Sequence, residues 1–218
     1  MNKIIVFANQ KGGVGKTTLS ILFANYLVWK KKNVVLLDAD DQRSVTTKRE
    51  KDVEFFGDEP PYEVQHVEIQ GMDYMQKLMA NARQIDATVI IDCPGNVRDD
   101  GLMPVFMQAD AIVIPFEYED ICLEATTDFV NLLNSIKQRI GGSAKYLFAP
   151  NKLQASFGTA AELAMWKQCA SMYGMVGKVL SKIPQRANLK RIDTYDITSS
   201  QRSVLMATFE GIIKETGI

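Results

Sequence analysis

Short, unbroken apolar runs punctuate the chain: Ile4-Ile5-Val6-Phe7-Ala8, Val34-Val35-Leu36-Leu37, Val89-Ile90-Ile91, Ala111-Ile112-Val113-Ile114 and Tyr146-Leu147-Phe148-Ala149. Because they are continuous rather than alternating, they predict strands covered on both faces. Between them the apolar positions return at helical spacing. Residues 16–29 carry Leu19, Leu22, Phe23, Tyr26 and Leu27, and residues 121–140 carry Leu123, Phe129, Leu132, Leu133 and Ile136 before Gly141-Gly142. Weaker patterns predict a helix from Ser44, a strand at 64–69, a helix at 73–83, a helix at 159–173, a strand at 179–183 and a last helix at 200–215. Residues 53–63, with Gly57-Asp58-Glu59-Pro60-Pro61, read as a turn-rich connection without regular structure. Strand and helix alternate throughout, which implies an α/β fold: a twisted, mainly parallel sheet with helices on both faces, in one domain spanning 1–218.

Composition narrows this picture only a little. With 218 residues and 46% hydrophobic content the chain can bury a sizeable core. The net charge of −1 leaves any nucleic-acid surface to be a local one. Cys93, Cys122 and Cys169 make neither a close-spaced metal pattern nor an even disulfide set, which suits a reducing cytoplasm. Met1-Asn2-Lys3 runs straight into a core strand, so no export leader is expected, and no apolar run reaches the roughly 20 residues of a membrane span. The single histidine, His66, has no second ligand nearby in sequence and reads as a packing residue.

The chemistry is concentrated at residues 9–18, N-Q-K-G-G-V-G-K-T-T, directly after the first apolar run. Glycines 12, 13 and 15 let backbone N–H groups close around an anion, with Val14 between them. The helix that starts near Lys16 points its positive end at the same place. Lys16 is placed to reach β- and γ-phosphates, Thr17 to offer a hydroxyl to Mg²⁺, and Thr18 to continue the cradle. The stretch has the form of a phosphate-binding loop, and the expected architecture is a three-layer P-loop NTPase fold. The strand Ala87-Thr88-Val89-Ile90-Ile91 ends in Asp92, the expected carboxylate for the metal or for a water on it.

Gln10-Lys11 stands where the usual pattern has a glycine, and this combination resembles the deviant phosphate loop of the ParA/MinD family of ATPases. The resemblance implies that Lys11 reaches across a nucleotide-sandwich homodimer to the partner's phosphates. Asp38-Ala39-Asp40-Asp41-Gln42 resembles the family's first switch, with Asp41 where proline is common. By that resemblance Asp40 orients the attacking water and Asp38 lies beside the metal shell, although carboxylates at a strand end also serve as helix caps. Pro94-Gly95-Asn96 with Arg98-Asp99-Asp100 resembles the second switch. Nitrogenase-type iron proteins share the loop but place a cluster cysteine where this chain has Arg98, Asp99 and Asp100, so Cys93 reads as a small apolar residue.

Two features concern the base and possible partners. Asn151, after the strand ending in Pro150, could read an adenine edge or form an Asx turn. In relatives the passage matching Pro184-Gln185-Arg186 borders the base, which makes Pro184 and Arg186 candidates for nucleotide contact. Lys178, Lys182, Arg186, Lys190 and Arg191 form a run of cations without an acid among them, either a phosphate-backbone surface or ordinary surface charge. Short plasmid-partition ATPases of the ParF kind are the nearest likeness. This implies ATP and Mg²⁺ as cofactors, an ATP-bound homodimer, nonspecific DNA and a small DNA-binding adaptor as partners, and a cytoplasmic, nucleoid-associated location. The alternative is a switch for a protein partner in conjugation, secretion or polysaccharide export, without DNA, or a ligase or reductase on the same loop.

Overall fold

The computed structural model describes residues 2–154 and 158–218. Among them, one sheet contains β1 (Lys3–Phe7), β2 (Val34–Asp38), β3 (Glu63–His66), β4 (Thr88–Asp92), β5 (Ala111–Phe116), β6 (Lys145–Pro150) and β7 (Lys178–Val179). Their order is β3-β2-β4-β1-β5-β6-β7, and every pairing is parallel. Parallel neighbours need crossovers, and the helices supply them. These are α1 (Lys16–Trp29), α2 (Ser44–Phe56), α3 (Met72–Ala82), α4 (Met103–Gln108), α5 (Asp120–Ile140), α6 (Ala160–Val176) and α7 (Ser199–Thr216).

The unbroken apolar runs supply both faces of the sheet. Ile4, Val6, Val89, Ile91, Ile112 and Ile114 pack under α3, α4, α5 and α6, while Ile5, Phe7, Ile90 and Val113 pack under α1, α2 and α7. On the second side a chain of ring contacts joins the layers: Phe7 to Phe23 at 5.9 Å between centroids, Phe23 to Phe209 at 5.2 Å, and Tyr26 to Phe209 at 5.3 Å. Each such buried ring contributes about 2–3 kcal/mol. Helix α1 is buried nearly all round, Ser20, Ile21, Ala24 and Asn25 included, because α7 covers the side that the helical pattern had left for solvent.

Several elements differ from the sequence expectations. Residues 53–56 continue α2, which stops only where Gly57 adopts φ 101° and its N–H closes on the Val53 carbonyl at 2.9 Å. Phe55 is 83% exposed, so these apolar residues gave no helical face to recognise. The last strand is two residues long rather than five. Leu180 N–H donates to Phe148 O and Ile183 N–H to Pro150 O, which sets three steps of chain against two of β6 and breaks the ladder as a bulge does. Short 3₁₀ turns at Asp100–Leu102 and Ala187–Lys190, and helix α4, were not anticipated. Pro104 in the first turn of α4 is the kind of residue that could have announced it.

Candidate active site

β1 lies between β4 and β5, so its C-terminal end delivers residues 9–15 to the middle of the sheet edge. Asn9 is fully buried there. Its Nδ2 donates to Pro115 O at 2.8 Å and to Thr126 Oγ1 at 2.9 Å, and its Oδ1 accepts from Lys11 N–H at 3.2 Å. The loop is thereby bolted to β5 and α5. Gly13 and Gly15 have φ of 79° and 98°, and a Cβ on Gly15 would stand 2.5 Å from Asn151 Nδ2. That Nδ2 donates to Val14 O at 2.8 Å, and the Lys152 ammonium bridges Gly13 O and Glu117 Oε1. With its carbonyls tied outward, the turn leaves the unpaired N–H groups at the start of α1 as anion donors.

Lys16 is buried, and its Nζ donates to Lys11 O at 3.3 Å. A Cβ on Gly95 would lie 3.9 Å from that Nζ, so the Pro94-Gly95-Asn96 turn lies directly against the lysine. Burial lowers the Lys16 pKa, opposed by the negative charges of Asp92 and Asp40. Cys93 is enclosed in the core, where burial pushes its thiol pKa up. Thr17 Oγ1 donates to Asp92 Oδ2 at 2.7 Å. The other carboxylate oxygen of Asp92 is buried without a partner among the described residues. Burial raises the Asp92 pKa to about 7; the Thr17 hydroxyl opposes this and Asp38 adds to it. Thr17 and Asp92 thus fit Mg²⁺, a hard ion that takes one or two protein oxygens and completes its shell with phosphate and water. Among the described residues no group of three or more His, Cys, Asp or Glu forms a self-contained cage.

Asp38 and Asp92 face each other as register partners on β2 and β4. Asp38 is occupied otherwise: its Oδ2 accepts from Thr46 N–H and Thr46 Oγ1, both at 2.9 Å, and so holds the first turn of α2. The cap alternative therefore describes the contacts of Asp38. Asp40 is half-buried, its Oδ1 accepts from Gln42 N–H at 3.0 Å, and its charge acts on Lys16 and Asp92. The Lys11 ammonium, half-buried at the rim, has no hydrogen-bond or ion-pair partner among the described residues. Gly12 is exposed beside it. His66 packs at the sheet edge, with Nδ1 3.0 Å from Asp38 O.

Asn151, Pro184 and Arg186, the residues expected at the base, meet in one pocket with Gly15, Thr18 and Lys190. The Asn151 carboxamide is engaged with the loop itself, and its Oδ1 accepts from Lys152 N–H at 2.9 Å. The cationic run is divided by the fold. Arg186 and Lys190 line the pocket, Lys182 lies 5.7 Å from the Tyr118 ring centroid, and only Lys178 and Arg191 stand clear of both. Sequence reasoning passed over Asn9, Glu117, Lys152 and Thr126, whose contacts fix the loop. Only Asn9, a polar residue at the end of an apolar strand, gave any local signal.

A profile of the CobQ/CobB/MinD/ParA nucleotide binding domain matches residues 5–199. The sporulation initiation inhibitor protein Soj of Bacillus subtilis is 27% identical over 175 residues, 64% of this chain and 68% of that protein. The chromosome-partitioning ATPase Soj of Treponema pallidum is 25% identical over 92% of this chain and 90% of its own length. In three dimensions a Borrelia burgdorferi protein described as a plasmid partition protein, solved with AMPPNP, superposes with a TM-score of 0.75 at 18% identity, covering 98% of this chain and 99% of that one. At that identity the superposition speaks for the fold. No helix among the described residues is long and apolar enough to cross a membrane. The seven-stranded parallel sheet, the glycine loop at its centre and a profile match across most of the sequence agree: this chain belongs to the CobQ/CobB/MinD/ParA nucleotide binding domain family.

Proposed function

We propose that this protein is a cytoplasmic Mg-ATP-dependent ATPase whose ATP-loaded form pairs two copies and acts as a switch in DNA partition. The observation that carries this reading is Lys11, an ammonium without a partner among the described residues, at the rim of a loop that already holds Lys16. A second cation there is surplus to one subunit's phosphates and is placed to serve those of a facing copy. Lys16 and the N–H groups of the loop bind the β- and γ-phosphates, and Thr17 and Asp92 hold Mg²⁺. A Mg²⁺ ion held there would supply charge neutralisation at the phosphates. Asp40 places the water for in-line attack on the γ-phosphorus, and Gly95, against Lys16, lets the second switch respond when that phosphate leaves. DNA would meet exposed cations such as Lys178 and Arg191, and a small DNA-bound adaptor would stimulate hydrolysis.

Light scattering in Mg-ATP tests the pairing. The wild type should run as a dimer, and Lys11→Ala as a monomer that still binds nucleotide; equal dimerisation of the two rejects the role given to Lys11. Turnover measured with and without duplex DNA tests the partition reading. A switch addressed to a protein partner alone is the second reading, favoured by the loss of Arg186 and Lys190 from the cationic run to the base pocket. Retention of the ATP form on DNA at low salt would reject that reading.

A further inference from the structure

Away from the phosphates, three charged or polar side chains are buried together: Arg49 and Asp52 of α2 and Thr194 in the loop before α7. Buried charge is costly unless every group is paired, and here each finds a partner. Arg49 donates through Nε to Thr194 Oγ1 at 2.8 Å, through Nη2 to Thr194 O at 3.0 Å and through Nη1 to Tyr62 O at 2.6 Å. Asp52 Oδ2 accepts from Thr194 N–H at 2.7 Å and from Thr194 Oγ1 at 3.0 Å, while its Oδ1 takes the Lys48 ammonium. The Thr194 hydroxyl therefore accepts once and donates once, an arrangement with one solution.

The same loop is gripped by α1 and α7. Asn25 of α1 donates to Asp193 O at 2.8 Å and Asp196 O at 2.6 Å, and Gln201 of α7 donates to Asn188 O at 2.9 Å and Arg191 O at 3.0 Å. Its 3₁₀ turn, Ala187–Lys190, carries Leu189 and Lys190 into the base pocket. At the other end of α2, Thr46 holds Asp38, two residues before Asp40. Helix α2 is thus joined at its start to the first switch and at its middle to the wall of the base pocket.

We propose that Thr194, clamped by Arg49 and Asp52, is a positioning residue that couples the occupied base pocket to the placement of Asp40, so that the purine end of the nucleotide raises turnover as well as affinity. This rests on the ATPase reading above. A base that orders the 187–190 turn fixes Thr194, Thr194 fixes α2, and α2 fixes the first switch. Side chains that merely completed the fold would leave turnover and its dependence on the base unaltered in a folded variant.

The test compares ATP with inorganic tripolyphosphate, which offers phosphates without a base, on wild type and on Thr194→Val, with Arg49→Lys as a second variant should Thr194→Val fail to fold. Loss of one buried hydrogen-bond set should lower kcat for ATP by about five- to tenfold. Tripolyphosphate turnover, however low, should stay within about twofold of wild type, because that substrate never uses the coupling. An unchanged kcat for ATP in the folded variant, or a change confined to KM, overturns the coupling while leaving the ATPase intact. A parallel fall for both substrates overturns it too, as general loosening. A wild type that binds ATP and hydrolyses none removes the ATPase reading itself.

Discussion

The two halves of the candidate site, the phosphate loop and the wall proposed to take the base, are built by different means. On the phosphate side the loop emerges from the central strand, with Asn9, Asn151 and Lys152 pinning it from β5, α5 and β6. Its groups are close-packed, and one of them, Asp92, keeps a carboxylate oxygen without a hydrogen-bond partner among the described residues. On the base side the wall comes from the sheet edge, where β7 lasts two residues and the chain then runs as a bulge and a 3₁₀ turn. Its order depends on side chains such as Gln201 of α7 and Arg49 of α2 reaching in from other elements. Central strands hold fixed donors for chemistry; an edge leaves room for a wall that can yield.

If the phosphate half stores unrelieved charge, removing that charge should show in stability. Asp92 has a pKa of about 7 when folded, above its ordinary value of 3.8. The folded state therefore holds the extra proton between those values, so the penalty grows as pH rises through that window and is complete above 7. Such a shift corresponds to up to about 4 kcal/mol. Asp92→Asn should raise the Tm of the nucleotide-free protein by several degrees at pH 8 and by less at pH 5, measured by calorimetry, while weakening Mg-ATP binding. An equal gain at both pH values would mean that the carboxylate is not held near neutrality.

A second test sets the two halves against each other in affinity. Gly15→Ala forces a side chain into φ 98° and against Asn151, and should weaken ATP binding about a hundredfold by titration calorimetry. Pro184→Ala, on the yielding wall, should weaken it by less than about tenfold. Comparable losses would erase the distinction. The smallest effect separates neighbours in the cationic run: Lys190→Ala should raise the Kd for ATP about two- to fivefold, as a partly exposed charge does, whereas Arg191→Ala should leave it unchanged. A shift caused by Arg191→Ala alone would place the pocket differently from the contacts described.

The phosphate half was legible in the sequence because it is local. Ten consecutive residues carry the glycines, Lys11, Lys16 and Thr17 in register, and Asp92 ends an unmistakable strand. The ties that hold it were not legible. Asn9 meets Thr126 across 117 residues of chain, and Lys152 meets Gly13 across 139, with no periodicity to link them. For the same reason the base wall could be named only residue by residue. Pro184 and Arg186 were placed by likeness, while the turn at 187–190 and the clamp on Thr194 depend on partners from α2 and α7. The role of Asp38 shows the limit from another side. A carboxylate at a strand end suits a metal or a helix start equally, and only the position of Thr46 decides what it touches.

The strand order also sets a timetable. β1 is made first, yet its two neighbours are β4 and β5, whose register with it begins at Thr88 and Ala111. During synthesis the glycine loop therefore leaves the ribosome with no sheet to hold it, and Asn9 has no Pro115 or Thr126 to meet until about half the chain has followed. Long-range parallel pairings of this kind form slowly and keep apolar strands exposed meanwhile. Nucleotide cannot rescue the nascent chain early, since its cradle exists only once β5 has docked. Ligand therefore stabilises only what has already closed.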